Sequence, residues 1–414
     1  MKRRCVAALG LALVAATMMW PARTAAADNA ELAFNQNCQL CHNPERVRAK
    51  RLTREEWQQI IKKMIGLGCP IRSSKRNQDL VLDYLVRTQA PAGAAVAQAR
   101  PAPTAAPVIA QAQPASNAGP AARVYVVNEE SQDVWVLDAA TRAVVGSAKV
   151  EKLPRGITPS PDGTSLYVTN MGSNDVTIID TATLTTTTMH GTGLNPHESA
   201  MGPDGRWLYV SNPSSNTVTV HDTISRVPVA SIPVGRFPHG VALSPDGKRL
   251  YVANRDTGDV SVIDTTMRQV VATISTAPDS RDLAVSPDGK TLYVVSTNPG
   301  LLSFVDTIQA RVVKSVKAGR SPHGVVVSHD GTVLWVADPD SRAVEALNSN
   351  TGNVIATVPV TDGPRDLALS DDGKQLWTAN ADANTVSVID ATQRTIVATV
   401  PVGQRPVRVL VVAR

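Results

Sequence analysis

The chain has 414 residues, 43% hydrophobic and 19% charged, with a formal net charge of +5. That length predicts two or more folded units of ordinary soluble composition rather than one small core. The positive charge is confined to the first 90 residues: 1–27 hold four basic and no acidic side chains, and 28–90 hold eleven basic and seven acidic. The remainder is slightly acidic, which excludes a basic stripe for nucleic acid.

Residues 1–27 have the layout of a secretory signal: basic Lys2, Arg3 and Arg4, an apolar run from Cys5 to Trp20, then Ala25, Ala26 and Ala27 for cleavage. The run is shorter than the roughly 20 residues of a spanning helix, and no later stretch is long and apolar enough to span. The expectation is an exported, periplasmic protein with no membrane span once the signal is removed.

Residues 28–90 are expected to form a small all-α haem domain. Cys38-Gln39-Leu40-Cys41-His42 has the c-type haem attachment spacing. Two thiols one helical turn apart suit the two porphyrin vinyl groups, and the adjacent His42 suits the proximal position on the iron. A thioredoxin-like redox pair would need a preceding strand. Zinc would need a second ligand pair, and His42 is the only histidine in this segment. One covalent haem c is therefore the expected cofactor. Residues 55–64 read as a helix, with Thr53 and Glu56 as a capping box. Its apolar face carries Trp57, Ile60, Ile61 and Met64. Met64 is the only methionine of the segment and so a candidate sixth ligand. A core role for Met64, a vacant sixth position, or ligation by Lys62 or Lys63 stay open. A second helix over 77–88 brings Leu80, Leu82, Tyr84 and Leu85, and Cys69 reads as a small buried residue.

The Cys38-x-x-Cys41-His42 motif, Arg54-Glu55-Glu56-Trp57, Lys63-Met64 and Asp83-Tyr84-Leu85 resemble the short haem domain of quinohaemoprotein amine dehydrogenase alpha subunits and related cytochromes c. The resemblance covers about residues 34–90. Those subunits carry two haem motifs and this chain carries one, so their enzyme activity does not transfer.

Residues 91–121 contain 6 Pro and 13 Ala among 31 residues, without acids or aromatics. That composition predicts a tether rather than a fold.

Residues 122–414 repeat every 42 residues. One marker is Asp162, Asp204, Asp246, Asp288, Asp330 and Asp372. A second is Asn128, Asn170, Asn212, Asn254, Ser296, Asp338 and Asn380, and a third is Asp138, Asp180, Asp222, Asp264, Asp306, Asn348 and Asp390. Four short strands per repeat make each repeat a propeller blade. The segment opens on a second-strand sequence at Arg123 and ends on a first-strand sequence after Val407, so the last strand is expected to complete blade 1, giving an all-β seven-bladed ring. Tyr167-Val-Thr-Asn170 and its counterparts, with Ser-Pro-Asp-Gly and Val-Ile-Asp-Thr, resemble the YVTN-family propellers.

One register position varies in a pointed way: Arg155, His197, His239, Arg281, His323, Arg365 and Val407. It precedes each innermost strand and should sit at the mouth of the central channel. Six Arg and His side chains there suit a small anion or an acidic partner; the interleaved arginines oppose a metal cation. Histidines near their usual pKa of about 6.5 would charge in acid and strengthen anion binding. Residues bonding blade carbonyls are the plainer account. His221 and His329 fall elsewhere in the repeat and read as surface residues.

Two functions are expected to compete. One is a periplasmic electron-transfer protein whose propeller docks a redox partner or a small ligand. The other is an oxidoreductase whose channel holds a substrate or second cofactor. The order of domains resembles cytochrome cd1 nitrite reductases, which use eight blades rather than seven. A haem sensor on a propeller scaffold is a third. No Ser/His/Asp triad, P-loop or Rossmann fingerprint is present.

Overall fold

A computed structural model describes residues 122–413 and the pair Gln58–Gln59. Gln58 and Gln59 are helical and exposed. The rest of the expected haem domain, the signal and the tether lie outside the described residues.

Residues 122–413 form seven four-stranded antiparallel sheets. Blade 1 contains Arg123–Asn128 (β1), Asp133–Asp138 (β2), Val144–Lys149 (β3) and Pro406–Val412 (β28, the last of the strands). Its order is β28-β1-β2-β3, so the two ends of the propeller meet in one sheet. The pairing runs from Arg123 opposite Val412 to Asn128 opposite Pro406. Closure removes the open edge that a chain ending between blades would leave.

The three repeat markers are turn chemistry. Asp138 accepts the backbone N–H groups of Ala140 and Thr141, at 3.1 and 2.7 Å, and so closes the β2–β3 hairpin. Asn170 Nδ2 donates to Asp175 at 2.7 Å and to Thr177 at 2.9 Å, bracing the preceding hairpin of its blade. Asp162 accepts from Ser160 Oγ at 2.6 Å and from Thr164 N at 3.1 Å in the Pro-Asp-Gly turn. Because these bonds are local, the 42-residue period is visible without knowledge of the fold.

Packing between blades falls on one aromatic register: Tyr125, Tyr167, Tyr209, Tyr251, Tyr293, Trp335 and Trp377, all buried. A hydrogen bond joins Tyr167 to Thr223 of the next blade, and the pairs Tyr209–Thr265, Tyr251–Thr307 and Tyr293–Ser349 repeat it. Where tryptophan replaces tyrosine, the register partner becomes alanine. Trp335 packs in one cluster with Ala391, and Trp377 in another with Ala139. The larger ring takes the space of the hydroxyl pair, as close packing requires.

One expectation is corrected. His221 is not a surface residue; it is fully buried, at 0% exposure. It sits opposite Leu208, at the register that Leu137, Ile179, Ile263, Val305, Leu347 and Ile389 occupy in the other blades. Neither ring nitrogen has a hydrogen-bond partner. Burial alone lowers its pKa to about 4. His329 is exposed.

The folded state therefore resists protonating His221 while the unfolded chain, at about 6.5, does not. Stability must fall as pH drops from 6.5 towards 4, by on the order of 3 kcal/mol in full. His221→Ile should be more stable than the parent at pH 7.5, since it removes two unsatisfied polar atoms. The gap should widen by about 2 kcal/mol at pH 5. Denaturant unfolding at the two pH values measures this, and an unchanged gap would refute the account.

Candidate functional site

The channel register is set by a defect repeated in every blade. In blade 2 the ladder jumps from Pro154 opposite Asn170 to Ile157 opposite Val168, so two residues face one. Blades 4, 5, 7 and 1 show the same shift at His239, Arg281, Arg365 and Val407. In blades 3 and 6 both members of the pair bond one residue of the neighbouring strand. His197 N donates to Ser211 O and Ser211 N to Glu198 O, both at 2.9 Å; His323 and Gly324 bond Ala337 likewise. A regular strand sends successive side chains to opposite faces, whereas a bulge re-aims one of them. Here both line the channel.

The result is two stacked rings around one cavity of about 40 Å3. The first ring is the one expected from the register, and its six Arg and His side chains share the cavity with Val407. The second ring, one residue later, was not anticipated. It carries Arg408, Gly156, Glu198, Gly240, Asp282, Gly324 and Asp366 in blade order. Its signal lay in the same register, one position further on, but strand alternation points that position away from the axis.

Glycine and acid alternate around the second ring for steric reasons. A Cβ on Gly240 would lie 2.8 Å from Arg281 O and 2.9 Å from Asp282 Cα; Gly156 and Gly324 meet the next blade as closely. Seven is odd, so the alternation cannot close, and Arg408 fills the leftover place. It pairs with Glu198 and Asp366 and approaches Asp282 at 4.0 Å.

Burial raises the pKa of Glu198 and Asp366 and raises Asp282 to about 7, while Arg408 pulls each of them down. For Arg408 burial opposes the charge, but Asp366, Glu198 and Asp282 outweigh it and hold its pKa well above the usual value.

In the first ring Arg155 donates to Glu129 Oε1 at 3.0 Å, and Arg405 Nε lies 2.8 Å from Glu129 Oε2. The rings of His197 and His239 are in contact, with centroids 3.6 Å apart and planes tilted by 42°. His197 Nδ1 is 3.3 Å from Glu198. Both imidazoles are buried, at 9% and 6% exposure. Burial first, then neighbouring positive charge, holds both pKa values well below 6.5. The expectation that mild acid charges this ring is thus corrected for these two: they stay neutral. Burial and the nearby Arg255 lower Arg281 to about 9. Among the described residues no group of three or more His, Cys, Asp or Glu is arranged to hold a metal ion. Cys38, Cys41, His42 and Met64 lie outside the described residues.

Fold and channel define a closed seven-bladed β-propeller with a charged axial cavity. The model of the YNCE-like beta-propeller family matches residues 82–223 and 212–333, and the chain belongs to that family. No curated protein matches the sequence. Among solved structures, Kuenenia stuttgartiensis hydrazine synthase is similar at 28% identity and a TM-score of 0.58, over 62% of this chain and 89% of that one. A functionally unknown protein from Desulfotomaculum acetoxidans shares 14% identity at TM-score 0.61, over 70% and 98%. A candidate 6-phosphogluconolactonase from Bacteroides fragilis shares 18% at 0.62, over 72% and 100%. The last two likenesses concern the fold alone.

Arg408→Met would leave three buried carboxylates without their cation. The variant should lose about 3–5 kcal/mol at pH 8. The carboxylates' folded pKa values would then lie further above their unfolded ones, so the deficit should shrink as pH falls and protons neutralise them. Denaturant midpoints at pH 8 and pH 5 check both the size and the sign.

Proposed function

We propose that the protein is an exported c-type cytochrome that transfers electrons in the periplasm, with the propeller docking a redox partner or a small ligand. The observation that carries this reading is the Cys38-Gln39-Leu40-Cys41-His42 motif behind an export signal and ahead of a propeller. Cys38 and Cys41 would hold the haem covalently, His42 would ligate it, and Met64 is the candidate opposite ligand. When bound, the haem supplies one-electron chemistry, and a thioether ligand would favour a higher potential.

The channel favours a second reading, an oxidoreductase with its substrate at the propeller axis. A similar propeller occurs in a protein named a hydrazine synthase. The two readings differ in what the cavity does, not in the attachment of haem.

Cys38→Ala with Cys41→Ala should abolish haem that survives denaturing electrophoresis while leaving the propeller folded by circular dichroism. Full haem stain in the double variant would refute the attachment site. Met64→Ala should remove the weak near-infrared band of thioether ligation in the oxidised protein and lower the potential. An unchanged spectrum and potential would place the sixth ligand elsewhere.

A further inference from the structure

The two rings hold four arginines and three carboxylates, and Glu129 makes a fourth, so what is uneven is the pairing rather than the total charge. Glu129 engages Arg155, and three carboxylates engage Arg408. Arg281 and Arg365 have no ion-pair partner among the described residues. Asp279 and Asp282 act on Arg281, and Glu129 on Arg365, without forming an ion pair with them; Asp279 pairs with Arg255, and Glu129 with Arg155 and Arg405. Arg281 and Arg365 stand on blades 5 and 7, with His323 of blade 6 between them, and all three line one cavity. Arg365 Nε is buried without a hydrogen-bond partner, as is Nδ1 of His239 in the same cavity.

Burial acts first against both charges, followed by Arg255 at Arg281 and by Arg405 and Arg281 at Arg365, with Asp279 and Asp282 supporting the first and Glu129 the second. Arginine keeps its proton in proteins, so it cannot escape this cost by becoming neutral as a buried lysine does. Nearby carboxylates support both charges without pairing with either directly, so the guanidinium donors are left for a group from outside the protein. A planar fork of N–H donors suits a group with two or more oxygens.

We propose that the channel between Arg281 and Arg365 is a binding site for a small inorganic oxyanion, held by their two guanidinium groups. The size is set by the cavity. Its roughly 40 Å3, against about 10–15 Å3 for one water, admits an ion of three to five heavy atoms and excludes a nucleotide or a sugar phosphate. The sign is set by the ring, since His197 and His239 remain neutral beside the unpaired arginines. The floor of Glu198, Asp282 and Asp366, tied to Arg408, repels an anion that moves deeper and keeps it at the mouth. The inference rests on the propeller alone and not on the haem.

The test is saturable binding to the purified full-length protein by calorimetry and thermal unfolding. The probes are sodium nitrite, nitrate, sulfite and sulfate, against chloride at equal ionic strength. At least one oxyanion should stabilise the parent saturably, and chloride should not. Arg281→Gln with Arg365→Gln should weaken that binding about tenfold or more, as loss of charge-assisted hydrogen bonds implies. Its anion-free stability should match or exceed the parent's. Arg365→Lys keeps the charge, loses the fork, and should show a smaller loss; it stands as the probe if the double variant does not fold. No saturable response to any of the four oxyanions, or equal affinity in parent and variants, would overturn the site. A preparation without covalent haem would refute the cytochrome reading and leave this measurement intact.

Discussion

Seven strands converge on one axis, and their side chains must share a space only a few side chains wide. Charges placed there cannot be moved apart by rotamer choice, so they must be cancelled in place. Arg408 draws together three carboxylates contributed by blades 3, 5 and 7, and Arg155 and Arg281 also act on Glu198. The same residue lies on β28, the strand that closes the ring against β1. Closure and charge balance are therefore carried by one segment. Loss of the β28 pairing would also strand three buried carboxylates, which couples ring opening to a large electrostatic cost.

The odd blade number sharpens this constraint. Alternating glycine and acid lets each innermost strand approach the next closely. An even ring could repeat that alternation without a break. Seven cannot, so one place differs in kind, and a cation there faces the three acids. The bulge in each blade is what brings this ring to the axis at all.

The propeller was legible in the sequence because its period is written in turn residues whose hydrogen bonds span only two to seven positions. The first channel ring was legible because it keeps the same register. The second ring was not, because it depends on a bulge, and strand alternation assigns Glu198, Asp282, Asp366 and Arg408 to the wrong face. Glu129 and Arg405 were missed because their pairing joins distant parts of the chain. His221 was misjudged because composition favours exposed histidine, whereas its register neighbours are Leu, Ile and Val; that comparison across repeats was available in the sequence. The neutrality of His197 and His239 follows from burial, which no spacing reveals. The haem reading stands on a five-residue motif whose chemistry is local, so it needs no fold to be stated.

Comparison across the repeats also separates folding from function. Where structural positions vary, they vary in matched pairs. Tyr with Thr or Ser becomes Trp with Ala. In blade 5 the usual Asn becomes Ser296 and the usual Pro becomes Ser280, and their hydroxyls face each other at 3.2 Å. In blade 6 Asp338 replaces Asn and accepts the backbone N–H groups of Arg320 and Ser321, at 2.6 and 3.1 Å. Each change carries its own compensation, as a sequence consistent at every level should. Arg281 and Arg365 break that pattern. They are charged, they line a cavity, and no carboxylate of the described blades forms an ion pair with either of them. A local rule broken without an internal remedy marks a place where something outside the fold supplies it.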